Sequence, residues 1–239
     1  MKKSLLIILF LFSHQLFAEE VYATFTVHAR QNANLAFSYS GIVKDINADI
    51  MSEVKKDDVL ATLVSDDLIA THNATKVELK YAKLEYERHK DLYAKKLIDK
   101  SQLDKYALAY ESLLAKIEYE KTIFAKTILT APFDGVITHR YIESGDVVSG
   151  QMIKTAFTIQ SPSQRVLVAE FDQKYNNQVK IGDSFIFTVD GDSKQHKAKI
   201  DRIYPQANED NRKIYAQVFV EGIKVGMFGE GKIITSATE

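Results

Sequence analysis

Cysteine is absent from the 239-residue chain. An exported fold without it has no disulfide framework and must rest on its own apolar core. The same absence removes thiolate metal ligands and any cysteine that could carry a lipid, so a lipoprotein is not expected. Proline is scarce at 3 and glycine ordinary at 10, a balance unlike disordered or low-complexity sequence. A formal net charge of -1 offers no basic surplus, so no nucleic acid partner is expected. No Gly-x-Ser-x-Gly nucleophile motif occurs. Gly226, Gly229 and Gly231 stand in the wrong order for a dinucleotide loop and read as barrel-turn glycines. His28, His72, His89, His139 and His196 are scattered, with no close carboxylate at metal-ligand spacing, so neither metal nor cofactor is expected. An enzyme is the least supported class. Beyond the N-terminus no stretch is apolar enough to cross a bilayer.

What is present begins with that N-terminus. Lys2 and Lys3 precede the apolar run from Leu5 to Phe12, and Leu16-Phe17-Ala18 offers a small residue at a cleavage point. This is the pattern of a signal peptide over residues 1–18, with the mature chain starting near Glu19. The run is far shorter than the ~20 apolar residues of a membrane span. The chain is therefore expected to be exported.

Strands are expected where Val21, Ala23, Phe25 and Val27 alternate with polar neighbours, and again over residues 35–39. Ser40-Gly41-Ile42-Val43 then opens a half-motif, in which Gly41 reads as a turn and Val54 follows thirteen residues later. Asp134-Gly135-Val136-Ile137 opens a second, with Val148 again thirteen residues after its glycine. Between them residues 66–128 change to a helical period. Ala70, Ala74, Val77, Tyr81, Leu84 and Arg88 fall on alternating fours and threes, which predicts a heptad seam with Lys76, Lys80, Lys83, Glu85 and Glu87 outside it. Leu103, Tyr106, Tyr110, Leu113 and Ile117 repeat the spacing in a second helix that continues to about Ile128, ahead of the stop at Thr130-Ala131-Pro132. Tyr81, Tyr106 and Tyr110 therefore read as packing between the helices, and Arg88 as a partner for Glu85 or Asp91. The run breaks at Leu97-Ile98-Asp99, where Asp99 and Gln102 form a capping-box arrangement for the second helix. The join is short, so the helices run antiparallel as a hairpin about 45 Å long. After the second half-motif, strands are expected at 166–171, 185–189, 197–204, 214–220 and 232–235, with a short polar helix near 172–179. Together with residues 21–29 they can close a small antiparallel barrel.

These residues resemble the periplasmic adaptor subunits, or membrane fusion proteins of the HlyD-like family, of bacterial tripartite efflux and type I export systems. The carriers are the two half-motifs, the heptad pair, Thr130-Ala131-Pro132-Phe133, Gly145-Asp146-Val147-Val148, Ile181-Gly182-Asp183 and Val225-Gly226-Met227. The resemblance implies a mostly β fold, elongated, with a split lipoyl-like β-sandwich, a long α-helical hairpin and a small β-barrel. The matching partition is 19–39 for N-terminal barrel strands, 40–65 and 129–162 for the lipoyl-like halves, 66–128 for the hairpin and 163–239 for the barrel. The membrane-proximal domain of many adaptors would be largely missing. Because the hairpin occupies the turn where a carrier domain offers its lysine, no cofactor attachment is implied.

The resemblance also implies partners. Adaptors form homo-oligomers, often hexameric rings, that join an inner-membrane transporter, here of the resistance-nodulation-division type, to a TolC-like outer-membrane channel. The family's tip pattern is arginine, leucine and serine, and Arg88, Leu92 and Asp99 match its spacing. Asp99 departs from the serine, and Ser101 stands two residues on as a substitute. Met51 and Asp57 replace glycines usual in the first half-motif, so distorted turns are expected there. Other readings are an adaptor for an ABC-type or type I exporter, and a free-standing coiled-coil envelope scaffold.

Overall fold

The computed structural model describes residues 19–236. The expected signal peptide, 1–18, lies outside them. Two compact units emerge: Gln31–Pro162, and the residues up to Arg30 together with those from Ser163 onward. β1 (Glu20–Ala29) opens the second of these and buries Val21, Ala23, Phe25 and Val27 on one face, as the alternation predicts.

The Gln31–Pro162 unit contains β2 (Asn32–Leu35), β3 (Gly41–Ile46), β4 (Glu53–Val54), β5 (Val59–Leu63), α1 (Asp66–Ala94), α2 (Lys100–Ala125), β6 (Ile128–Thr130), β7 (Gly135–Arg140), β8 (Val147–Val148) and β9 (Phe157–Gln160). Its strands form two four-stranded sheets, ordered β2-β9-β7-β4 and β6-β5-β3-β8. Val43, Leu60, Leu63, Ile137, Phe157 and Ile159 fill the core and are 0 to 1% exposed. Residues 31–39, expected with the barrel strands, belong here instead, because β2 pairs with β9. The strand expected over 35–39 lies earlier, at Asn32–Leu35, and the chain bends at Ser38 and Tyr39 while burying Phe37.

The two half-motifs complete one another. Gly41 of β3 pairs with Val148 of β8, and Gly135 of β7 pairs with Val54 of β4. The backbone bonds repeat the relation: Met51 N–H donates to the Ile137 carbonyl at 2.8 Å and Gly145 N–H to the Val43 carbonyl at 2.8 Å. Val43 N–H donates to Asp146 O at 2.8 Å and Ile137 N–H to Ser52 O at 3.0 Å. Gly41 therefore begins a strand rather than turning. The turn belongs to Met51 and Gly145, which take φ of 71° and 93° at corresponding places. Asp57 likewise sits at φ 69°. The expected distortion at Met51 and Asp57 does not occur: the hydrogen bonds around each turn hold a non-glycine residue in the left-handed region.

Arg140 ties the halves across their surface. Its Nε donates to Asp49 Oδ1 at 2.9 Å, and its Nη1 lies 2.7 Å from Glu143 and donates to the Ile142 carbonyl at 2.6 Å. Hydrogen bonds to Glu143 and Asp49 hold the guanidinium above its usual value. The Ile50 N–H, then Arg140, hold the Asp49 carboxyl below its own.

The second helix falls slightly short of the expected end at about Ile128. It stops at Ala125, and Thr127 takes the freed Phe124 carbonyl through both its N–H and its Oγ1, at 3.0 and 2.7 Å. Ile128 to Thr130 then pair with β5, so α1 and α2 leave and rejoin the body at adjacent strands.

The other unit adds β10 (Gln164–Asp172), a 3₁₀ turn at Gln173–Tyr175, β11 (Ser184–Val189), β12 (Gln195–Lys199), β13 (Arg202–Ile203), β14 (Lys213–Glu221) and β15 (Phe228–Ile234). They form one seven-stranded sheet, ordered β12-β11-β15-β1-β10-β14-β13. Phe25 packs edge-on against Phe185 and Phe187 in its core, with ring centroids 5.8 and 5.2 Å away. The expected closed barrel is a curled half-barrel, because no ladder joins β12 to β13. The expected strand 197–204 is split where the chain changes partner. Ile200 N–H bonds Asp183 O at 3.0 Å, and Asp201 N–H bonds Gln217 O at 2.9 Å. Gly226 does turn, at φ 84°, but Gly229 and Gly231 lie within β15 against the Thr188 and Ile186 carbonyls, where a Cβ would collide.

Candidate functional site

α1 and α2 pack on each other, and their far end carries the four residues the sequence marks as contacts. On α2 the inward stripe is Leu103, Tyr106, Tyr110, Leu113 and Ile117, as its spacing predicts. On α1 it is Leu68, His72, Thr75, Leu79, Ala82, Tyr86 and His89, a different stripe from the expected one. Tyr86 stacks on Tyr110 and His89 on Tyr106, with centroids 5.6 and 3.5 Å apart. Thr75 Oγ1 donates to Glu120 Oε1 at 2.7 Å, and His72 Nδ1 lies 3.3 Å from Glu120 Oε2. His89 Nδ1 donates to the Glu85 carbonyl at 2.7 Å. Polar side chains can occupy this seam because each finds its partner there.

The stripe expected to be inward on α1 is the outward one. Val77, Tyr81 and Leu84 are 56, 60 and 53% exposed. Tyr81 packs on no tyrosine of α2; Lys80 lies over its ring at 5.8 Å. Arg88 faces out as well, held by Glu85 at 3.0 Å in an i,i+3 pair.

The turn at the far end is closed by backbone. Lys96 N–H donates to the Tyr93 carbonyl at 2.8 Å and Leu97 N–H to the Leu92 carbonyl at 2.9 Å. Lys96 takes φ 59° between them. This pairing of a 5→2 with a 6→1 bond is a Schellman motif, built here on lysine where glycine is usual. Asp99 then caps α2: its Oδ1 accepts from Gln102 N–H at 2.8 Å. Of the four marked residues, Leu92 and Asp99 thus flank one turn through their own local bonds. Ser101 is exposed in the first turn of α2, and Arg88 stands one helical turn below Leu92. The sequence gives no sign of two further features of the turn. Leu97 is 67% exposed at its crest, and Lys95 with Lys96 places positive charge at the negative end of the α1 dipole. The arrangement is a hydrogen-bonded turn with a mixed apolar and charged exposed surface. Among the described residues no three His, Cys, Asp or Glu side chains cluster as metal ligands, and no helix is long and apolar enough to cross a membrane.

The model of the CzcB-like barrel-sandwich hybrid domain matches residues 31–161, more than half of the chain and nearly the whole of the unit that carries the two helices. The chain belongs to this family. The resemblance to membrane fusion proteins thereby stands at the level of family and fold. The fold is similar to that of a MacA–MexA chimera carrying the Pseudomonas aeruginosa MexA α-hairpin domain, at TM-score 0.87 and 23% identity over 93% of this chain and 84% of that one. It is also similar to the membrane fusion protein Spr0693 of Streptococcus pneumoniae R6, at TM-score 0.73 and 14% identity over 89% and 98% of the two chains. An uncharacterized protein of Haemophilus influenzae is 28% identical over 109 residues, which is 46% of this chain and 28% of that protein's length.

Proposed function

We propose that the chain is the periplasmic adaptor of a tripartite export system, joining an inner-membrane transporter to a TolC-like outer-membrane channel. The observation that carries this reading is the barrel-sandwich unit interrupted, between adjacent strands β5 and β6, by a helical pair that ends in a braced turn. A body with an arm rooted in one place and a braced turn at the other end suits a connector. In this reading α1 and α2 are the long hairpin, the two half-motifs are the lipoyl-like halves, and the half-barrel unit is the barrel domain. The transporter is of the resistance-nodulation-division type, the cargo a drug or small molecule, and the assembly a homo-oligomeric ring, hexameric by family precedent. The mature chain works in the periplasm after signal cleavage. Arg88, Leu92, Asp99 and Ser101 contact the channel.

The test is in-cell photocrosslinking from position 101, with a photoreactive residue in place of serine, in the native host. A crosslinked band containing an outer-membrane channel, together with loss of export on deletion of the chain, is the expected result. Crosslinks confined to soluble envelope proteins, with export intact in the deletion strain, would overturn the assignment and favour a free-standing scaffold.

A further inference from the structure

The outer face of the half-barrel sheet gathers cations and aromatic rings around β14. That strand lies between β10 and β13, so side chains from the β1 flank and from β13 reach its outward residues from opposite directions. Arg30, just past β1, and Arg202 of β13 both set their guanidinium over the ring of Phe219, at 5.1 and 5.5 Å from its centroid. The ring face attracts each cation, but the two like charges repel one another. Among the described residues no carboxylate offsets them. Arg30 Nη1 donates instead to the Gln164 side-chain oxygen at 3.2 Å. The acids of this region are engaged elsewhere: Glu170 pairs with Lys213 at 3.1 Å, and Asp201 Oδ2 accepts the Phe219 N–H at 2.7 Å. Glu221, at the end of β14, pairs with neither arginine.

Beside Arg30 the same face opens into a cleft of about 470 Å³. Val166 and Val168 of β10 form its floor, with His28 and Arg30 on one side and Tyr204 and Tyr215 on the other. The two tyrosine rings meet edge to face, their centroids 5.9 Å apart, and Gln217 Nε2 donates to the Tyr204 hydroxyl at 3.0 Å. Tyr204 is thereby held as a wall although 42% of its surface is exposed. We infer that this cleft binds a small planar anion, an aromatic carboxylate, with its carboxylate on Arg30 and its ring over the valines against Tyr204. The parallel N–H groups of a guanidinium match the two oxygens of a carboxylate. An apolar floor, an aromatic wall and a few polar groups at the rim are the makings of a small-molecule site, and the volume is of that order. Arg202 adds a second unpaired positive charge nearby, which raises the local attraction for an anion without touching it. The site lies wholly within the half-barrel unit and is open to such a ligand whether or not the chain serves as an adaptor.

The probe is 2-naphthoate, titrated into the full mature chain by isothermal calorimetry. Its neutral counterpart, 2-naphthalenemethanol, and inorganic phosphate are titrated in parallel. Naphthoate should saturate at one site per chain, while neither comparator saturates over the same range. Arg30→Gln removes a charge-assisted pair and should weaken naphthoate binding at least about tenfold. Tyr204→Ala should weaken it as well, and both variants should keep the wild-type circular dichroism. Lys232→Gln takes the same charge from the other end of that face, where Lys232 pairs with Glu20 at 2.6 Å, and should bind as wild type does. A wild-type chain with no saturable naphthoate binding would overturn the site. Wild-type affinity in Arg30→Gln or Tyr204→Ala would overturn it too, by placing the ligand elsewhere. Equal binding of the alcohol would reduce it to apolar uptake, equal binding of phosphate to unselective anion binding, and an equal loss in Lys232→Gln to net charge; each of these refutes an aromatic carboxylate site.

Discussion

Met51 and Gly145 occupy corresponding turns of the two half-motifs, with the same hydrogen bonds around them, so each is a control for the other. Met51 is held at φ 71° with 77% of its surface exposed, and its side chain contributes almost no burial. A non-glycine residue in the left-handed region costs about 1–2 kcal/mol. Glycine relieves that cost but loses about 0.5–1 kcal/mol through the greater freedom of its unfolded chain. Met51→Gly should therefore stabilise the protein by roughly 0.5–1 kcal/mol. Gly145→Ala should do the reverse by a similar amount. A Cβ at Gly145 meets nothing within 4 Å, so that variant reports backbone strain alone. Urea unfolding of the full chain measures both, and a domain of this size should shift in melting temperature by roughly 2–4 °C per kcal/mol. A destabilised Met51→Gly, or a neutral Gly145→Ala, would refute the equivalence of the two turns and the strain assigned to Met51.

Four further outcomes are expected. Arg88→Ala loses only an exposed i,i+3 pair, worth roughly 0.3–0.5 kcal/mol, so unchanged melting with export abolished in a complementation assay would place the loss at the channel. Leu92→Ala, at a half-buried position, should also abolish export but with a modest drop in melting temperature, and wild-type export from both variants would remove the tip assignment. Asp99→Ala should cost about 1 kcal/mol by uncapping α2, while Asp99→Ser, which caps as well, should melt as wild type does. Asp49 is held below the usual carboxylate value by the Ile50 N–H and Arg140, so its stabilisation is present above about pH 4 and disappears as pH falls through the depressed value. Asp49→Asn should accordingly unfold more easily than wild type at neutral pH, and the gap should narrow in an acid titration; a gap that widens would contradict the sign.

Much of this was legible in the sequence, and the misreadings share a physical cause. The inward stripe of α2 could be read because it is apolar. That of α1 could not, because His72, Thr75 and His89 interrupt it, and their partners Glu120 and Tyr106 are on the other helix, which only the fold brings near. The more continuous apolar stripe, through Val77 and Leu84, faces water. Gly41 looked like a turn because glycine is the residue of turns, yet the left-handed positions are Met51 and Asp57, which carry no such mark. The end of α2 falls just short of the expected Ile128 because Thr127 ends the helix by bonding the Phe124 carbonyl, a local stop less visible than Pro132. Among the contact residues, the cap by Asp99 follows from its spacing to Gln102, but Lys96 in the left-handed turn does not follow from any pattern.

Where the helical pair joins the body separates two properties that evolution can then tune apart. Thr62 pairs with Ile128, and Leu63 N–H bonds the Thr127 carbonyl at 2.9 Å, so the arm is clamped at its root by neighbouring strands. Arm length is a free parameter of such a joint. One heptad inserted into each helix would carry the far turn about 10 Å outward while every strand pairing stays as it is. A lineage could thus fit envelopes of different depth by adding or deleting whole heptads, with the sandwich's own unfolding midpoint, measurable in such length variants, left unchanged.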